Sequence, residues 1–98
     1  MRIVAKSTLK EFWEIYPDAE KPLRAWFEKI KGTDWESPYE IKQIYGDADP
    51  VGNGRIVFNI GGNKYRLIVL FIYETQICYI RFIGTHKEYD KIKDIENI

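Results

Sequence analysis

Four side chains in the second half of this 98-residue chain have the types and spacing for chemistry on a phosphodiester: Arg66, Arg81, His86 and Tyr89. Guanidinium groups present forked donors that match phosphate oxygens. His86 is the only histidine, and imidazole is the side chain that ordinarily exchanges protons near neutral pH. Tyr89 adds a hydroxyl three residues further on. Such a set supplies a group to take a proton from an attacking hydroxyl, cations for a charged phosphorane, and a donor for the leaving oxygen. Each member also has a purely structural use. Arg66 and Arg81 could pair with Glu74, Asp90 or a carboxylate of the N-terminal half, His86 could help cap a helix, and Tyr89 could simply pack. Other chemistries have less to draw on. One His and one Cys do not make the usual zinc site, no Gly-rich loop opens a helix, and GGNK reads as a hairpin turn.

The elements that must position these residues lie between Arg55 and Asp90. The runs RIVFNI, KYRLIVLFIY and ICYIRFIG are dominated by β-branched and aromatic residues, and Gly61, Gly62 and Asn63 suit a tight hairpin. Two-residue turns at Gly61-Gly62 and Glu74-Thr75 place Asn59 opposite Lys64, Val57 opposite Arg66, and Ile68 opposite Arg81. Alternation then collects Ile56, Phe58, Ile60, Tyr65, Leu67, Val69, Phe71, Cys78, Ile80 and Phe82 on one face with no charge among them, which marks the core. Cys78 on that face reads as a small buried hydrophobe. The other face is mixed, with Arg55, Asn59, Lys64, Arg66 and Arg81 at one end and Ile68, Leu70, Ile72, Ile77 and Tyr79 elsewhere.

Upstream, Arg2 to Ala5 is a short candidate edge strand. Ser7 is the expected N-cap of a helix to about Tyr16 that aligns Leu9, Phe12, Trp13 and Tyr16. A second helix, from about Ala19 to Lys31, aligns Leu23, Trp26, Phe27 and Ile30 and stops at Gly32. The two predict a helical hairpin across the apolar face, with Trp13, Trp26 and Phe27 in the core. Ser37, Pro38 and Glu40 signal a short helix anchored by Tyr39, Ile41, Ile44 and Tyr45 and ending near Gly46. GDADPVGNG reads as a loosely ordered loop. T-H-K-E from Thr85 is a capping box, so a last helix sets His86, Lys87, Tyr89 and Asp90 beside the mixed face, and KIKDIENI continues it or frays.

Length predicts a single domain over residues 1–98. A hydrophobic content of 45% excludes a disordered chain, and one cysteine excludes an internal disulfide framework. With no apolar run of membrane-spanning length and no leader-like start, the expectation is a cytoplasmic protein without membrane contact. Formal net charge is zero, but residues 1–49 carry eight Lys/Arg against ten Asp/Glu, while residues 50–98 carry seven against five. No carboxylate falls between Val51 and Tyr73.

The run RIVFNIGGNKYRLIVLFIYETQICYIRFIGTHKEYDKI resembles the signature of the HigB family of bacterial type II toxins: a VFNI-GGNKYRL hairpin, a strand ending YIRF, and a terminal THxEYD. IYPDAEKPLRAWFEKIKGTDWESP is similar to the helical part of the same family, so the likeness covers nearly the whole chain. It implies an α+β, RelE-like fold, with helices on one face of a small antiparallel sheet and messenger RNA on the other. It implies an mRNA endonuclease, usually acting in the ribosome, restrained by a HigA-type helix-turn-helix antitoxin. The chemistry implied uses the RNA's own 2′-hydroxyl and leaves a 2′,3′-cyclic phosphate and a 5′-hydroxyl, with no metal or cofactor. Carried over by residue, the resemblance puts Arg66 and Arg81 on the phosphate and His86 with Tyr89 among the acid-base or substrate-orienting groups. Asn59, Asn63, Lys64 and Lys87 become further RNA contacts. Many ribosome-dependent relatives are strongly basic, whereas this chain has pI ≈ 6.6, which weakens long-range attraction to RNA. From the residues alone, a non-catalytic or degenerate member of the fold that holds an antitoxin or an RNA stays open as the competing reading.

Overall fold

The computed structural model describes residues 1–98 and is built on one five-stranded sheet in the order β1-β5-β4-β3-β2. The strands are β1 (Arg2–Val4), β2 (Asp49–Gly52), β3 (Arg55–Ile60), β4 (Tyr65–Ile72) and β5 (Ile77–Thr85). All neighbours pair antiparallel except β1, the expected edge strand, which runs parallel to β5. Helices α1 (Lys6–Ile15), α2 (Glu20–Lys31) and α3 (Pro38–Ile44) precede β2, and α4 (His86–Asp90) follows β5 without a linker. This is the α+β arrangement expected of a RelE-like chain. No helix is long and apolar enough to cross a membrane.

The apolar stripes of α1 and α2 meet the sheet as their spacing predicts. Leu9, Phe12 and Trp13 from α1 and Leu23, Trp26, Phe27 and Ile30 from α2 are buried in one cluster with Ile56, Phe58, Ile60, Leu67, Val69 and Phe71. Trp26 packs edge-on to Phe58, their ring centres 5.4 Å apart. Gly32 follows the last turn of α2 and donates its N–H to the Glu28 carbonyl at 3.0 Å. Cys78 is wholly buried on this side, and burial pushes its thiol up to about 12, so it stays a protonated, inert hydrophobe.

Ser7 is not the cap of α1. The helix starts at Lys6 after Ala5, with no side-chain cap, because β1 leads almost directly into it. Ser37 does cap α3, Oγ accepting the Glu40 N–H at 3.4 Å, but the Glu40 carboxylate takes the Glu36 N–H at 2.9 Å rather than that of Ser37. Of the four expected anchors of α3, Ile41 is buried and Tyr45 packs on Phe58, whereas Tyr39 and Ile44 are 72% and 53% exposed. A seven-residue helix is too short to bury two faces.

Three differences concern the sheet. The expected loose loop contains β2, whose pairing to β3 leaves Pro50 on an edge strand, where a missing N–H is tolerated. The connection between β3 and β4 is four residues, not two: Ile60 pairs with Tyr65, so Asn59 faces Arg66 and Val57 faces Ile68. A shift of two leaves every side chain on its expected face. Between β4 and β5 the expected pairing holds from Ile72↔Ile77 to Val69↔Ile80, and then a bulge at Arg81 sets Ile68 opposite Phe82 rather than Arg81. The bulge turns Phe82 out of the core face and Ile83 into it, where Ile83 packs against the buried cluster.

Candidate functional site

The face of the sheet turned away from α1 and α2 is floored by Val57 and Ile68, which are buried yet stand apart from the main core cluster. α4 packs over this floor, against β4 and β5. Two local devices fix its placement. Thr85 and Glu88 close a full capping box, with the Thr85 Oγ accepting the Glu88 N–H at 3.2 Å and the Glu88 carboxylate accepting the Thr85 N–H at 2.8 Å. The His86 N–H then bonds the Lys64 carbonyl at 3.1 Å, carrying the β4–β5 pairing one residue into the helix. Tyr89 is thereby set beside Arg66, which lies opposite Gly84, and His86 stands at the first position of the same short helix.

Gly84 makes that approach possible. A Cβ there would lie 2.5 Å from the Phe82 ring and 2.9 Å from the Glu88 carboxylate. Gly84→Ala is expected to destabilise the fold by about 1–3 kcal/mol, because a ring and a capping side chain must both move. Thermal unfolding reads it, and an unchanged midpoint would show that the Phe82–Glu88 packing is slack.

Arg66 and Tyr89 come together, the guanidinium carbon 5.9 Å from the ring centre. No carboxylate is within ion-pair distance of Arg66. Its Nη1 reaches only the carbonyls of Tyr65 at 3.3 Å and Asn63 at 3.4 Å. Burial, with Asp49 nearby, pushes the Tyr89 phenol above its ordinary value, and Arg66 opposes this in part. Tyr89 therefore keeps its proton. The His86 Nδ1 is 3.0 Å from the Asp90 carboxylate one turn along the same helix. With Nδ1 holding the proton of that bond, Nε2 presents its lone pair outward.

Arg81 sits on the bulge and points elsewhere. Its Nε donates to the backbone oxygen of Ile98 at 3.1 Å, and Arg55 converges on the same oxygen. Among the further RNA candidates, Asn59 donates to the Asp47 carboxylate at 3.0 Å, and Lys64 is paired with Asp18 at 2.7 Å on the helical side. The Lys64 ammonium and the Tyr65 hydroxyl, which also donates to Asp18, hold that carboxyl below its ordinary value. Asn63 offers Arg66 its carbonyl, and Lys87 is exposed with neither hydrogen bond nor ion pair. Two participants were not singled out by sequence reasoning: Asp90 as the partner of His86, legible in their i, i+4 spacing, and Arg55, for which only its place on the mixed face was a sign. A shallow concavity lined by Pro17, Glu20, Lys21 and Arg24 lies on the helical side and gathers none of these groups.

Comparison with known proteins follows the same lines. Residues 19–92 match the family model of the RelE-like toxic component of a toxin-antitoxin system, HigB_toxin. The chain is 34% identical over 92 residues to the mRNA interferase toxin HigB of Escherichia coli (strain K12), covering 92% of this chain and 88% of that protein. The mRNA interferase HigB of Shigella flexneri matches with the same identity and coverage. The HigB of Escherichia coli O6:H1 is 29% identical over 94 residues, 94% of this chain and 91% of the relative.

Proposed function

Because this chain belongs to the HigB family of RelE-like toxins and is an mRNA interferase of a toxin-antitoxin system, we propose that it cuts RNA on the sheet face covered by α4, with Arg66, His86 and Tyr89 at the scissile phosphate and Arg81 on the same strand of RNA. The observation that carries this is the Arg66–Tyr89 pair, a cation with no carboxylate partner against a neutral phenol, on the same short helix as an imidazole held by Asp90.

The chemistry follows from those groups. His86 Nε2 takes the proton of the ribose 2′-hydroxyl, and the oxygen so freed forms a bond to the adjacent phosphorus. Arg66 meets the charge that grows on the non-bridging oxygens. The bond from phosphorus to the 5′-oxygen breaks, and Tyr89 supplies the proton to that leaving oxygen. The products are a 2′,3′-cyclic phosphate and a 5′-hydroxyl, with protons and electrons balanced inside the site. Asn59, Asn63 and Lys87 meet RNA approaching around the β3–β4 connection and α4, and Lys64 joins them by leaving its ion pair with Asp18. The substrate is taken to be messages on a ribosome, as the resemblance implies; with zero formal net charge, the chain must hold that RNA by local contacts on this face and not by long-range attraction. A HigA-type helix-turn-helix antitoxin in the cytoplasm would silence the toxin by covering this face.

Fragments made in a translating extract supplied with the purified protein are expected to carry 5′-hydroxyl ends that resist ligation until a kinase phosphorylates them. Directly ligatable 5′-phosphate ends would overturn the 2′-hydroxyl mechanism.

A further inference from the structure

The three carbonyls that serve the site belong to consecutive residues. Those of Asn63 and Tyr65 hold Arg66 Nη1 at 3.4 and 3.3 Å, and that of Lys64 takes the N–H of His86, the first residue of α4, at 3.1 Å. The turn before them is weakly closed on itself, by a bond of 3.5 Å from the Lys64 N–H to the Gly61 carbonyl. Its side chains are tied instead from the far side of the sheet. Lys64 Nζ lies 2.7 Å from the Asp18 carboxylate, and the Tyr65 hydroxyl donates to the other oxygen of the same group. Asp18 is itself held in place. It sits in a single 3-10 turn between Pro17 and the wholly buried Ala19, whose N–H bonds the Tyr16 carbonyl at 2.9 Å. The Tyr65 ring is buried edge-on to Phe12, their centres 5.2 Å apart, so the hydroxyl comes to Asp18 on a ring that the core already fixes.

We propose that Asp18 is a positioning residue for the cleavage reaction: through the Tyr65 hydroxyl it fixes the backbone of Asn63, Lys64 and Tyr65, and through that backbone the Arg66 guanidinium. The inference rests on the proposed RNA-cutting face and gives a part in it to a carboxylate on the opposite side of the sheet. The Tyr65 bond is the lasting half of the arrangement. Lys64 can exchange Asp18 for an RNA phosphate, and Asp18 then still holds Tyr65, because each partner uses its own carboxylate oxygen. The hydrogen bond to Asp18, with burial, pushes the Tyr65 phenol up to about 12, so it stays a donor through the neutral range. Arg66 depends on such help, since a guanidinium meets a growing phosphorane charge best when its fork is already aimed. Its other neighbour, the Tyr89 ring at 5.9 Å, attracts the cation without fixing the direction of the fork. The carbonyls set the aim, and Asp18 sets the carbonyls.

The test is the rate at which one reporter message is cut in a translating extract supplied with purified toxin over a range of concentrations, which separates the saturating rate from the concentration that gives half of it. Tyr65→Phe removes a single hydroxyl and keeps the ring against Phe12. It is expected to lower the saturating rate by about 3–10-fold, the worth of one hydrogen bond to the aim of Arg66, and to leave the half-saturating concentration unchanged. A mere loss of folded protein would raise that concentration instead. Asp18→Ala, at a half-exposed side chain, is expected to lower the saturating rate as Tyr65→Phe does, and the double variant to lose no more than either, because both remove the same bond. Asp18→Asn, whose amide oxygen still accepts the Tyr65 hydroxyl, is expected to recover most of the rate. In an Arg66→Lys background, where no fork meets the carbonyls, Tyr65→Phe is expected to cost less than in the wild type. Wild-type saturating rates in Tyr65→Phe and Asp18→Ala, a loss in Asp18→Asn as deep as in Asp18→Ala, or an equal cost of Tyr65→Phe beside Arg66→Lys would overturn the positioning role. If those results came with Arg66→Ala still abolishing cleavage, the proposed function would stand without it. Arg66→Ala cutting at the wild-type rate, or a wild type that cuts nothing, would remove both.

Discussion

Arg66→Ala is expected to lower RNA cleavage by about 10²–10³-fold, the cost of removing one preorganised donor from a developing phosphorane charge. The fold should survive the change. Arg66 has no carboxylate to orphan, and its contacts are two long bonds to carbonyls and the face of Tyr89, an exposed cation–π pair worth about 0.5–1 kcal/mol. A large fall in rate with a nearly unchanged unfolding midpoint is thus the expected signature. Arg66→Lys recovers only part of the rate, since an ammonium keeps the charge and loses the fork. If the Ala variant cleaves at the wild-type rate, the phosphate lies elsewhere.

His86→Ala is expected to cost about 10²–10⁴-fold in cleavage and to change its pH dependence. The neutral imidazole is the form that accepts a proton, so the wild type should cleave more slowly in acid than the loss of substrate alone explains, and the variant should lose that dependence. Tyr89 contributes no competing limb near neutrality, because burial keeps its phenol protonated above the ordinary range. Asp90→Asn separates position from chemistry. Its amide oxygen still accepts the Nδ1–H bond but carries no charge, so the histidine keeps its place while losing the counter-charge beside it, and the rate should fall less than in His86→Ala. A His86→Ala profile that parallels the wild type would assign His86 to holding α4 in place.

Where local chemistry decides structure, the sequence was easy to read. The Thr85 capping box depends on residues three apart, and the helical stripes at Leu9 to Trp13 and Leu23 to Ile30 follow one period, so all appear where expected. The faces of β3 and β4 were also legible, since an error of two in the hairpin length changes partners without changing sides. The bulge at Arg81 was not legible. An extra residue in a ladder is settled by how Phe82 and Ile83 pack above and below the sheet, which no local pattern encodes. The same bulge sets Arg81 beside Arg55, both reaching the Ile98 main-chain oxygen. β2 was hidden for a related reason: Asp49 to Gly52 has the residues of a turn and becomes a strand only because β3 offers it an edge. Lys64 and Asn59 looked like free contacts for RNA, and their carboxylate partners Asp18 and Asp47 come from distant elements that only the fold brings near.

The measurement that bears most directly on the central claim is mapping of 5′ ends in cellular RNA after brief induction of the wild-type chain, beside cells that make Arg66→Ala at the same level. Discrete new ends inside translated reading frames, present with the wild type and absent with the variant, are the predicted result. The same ends in both samples, or none in either with folded protein present, would contradict an RNA-cutting site on this face of the sheet.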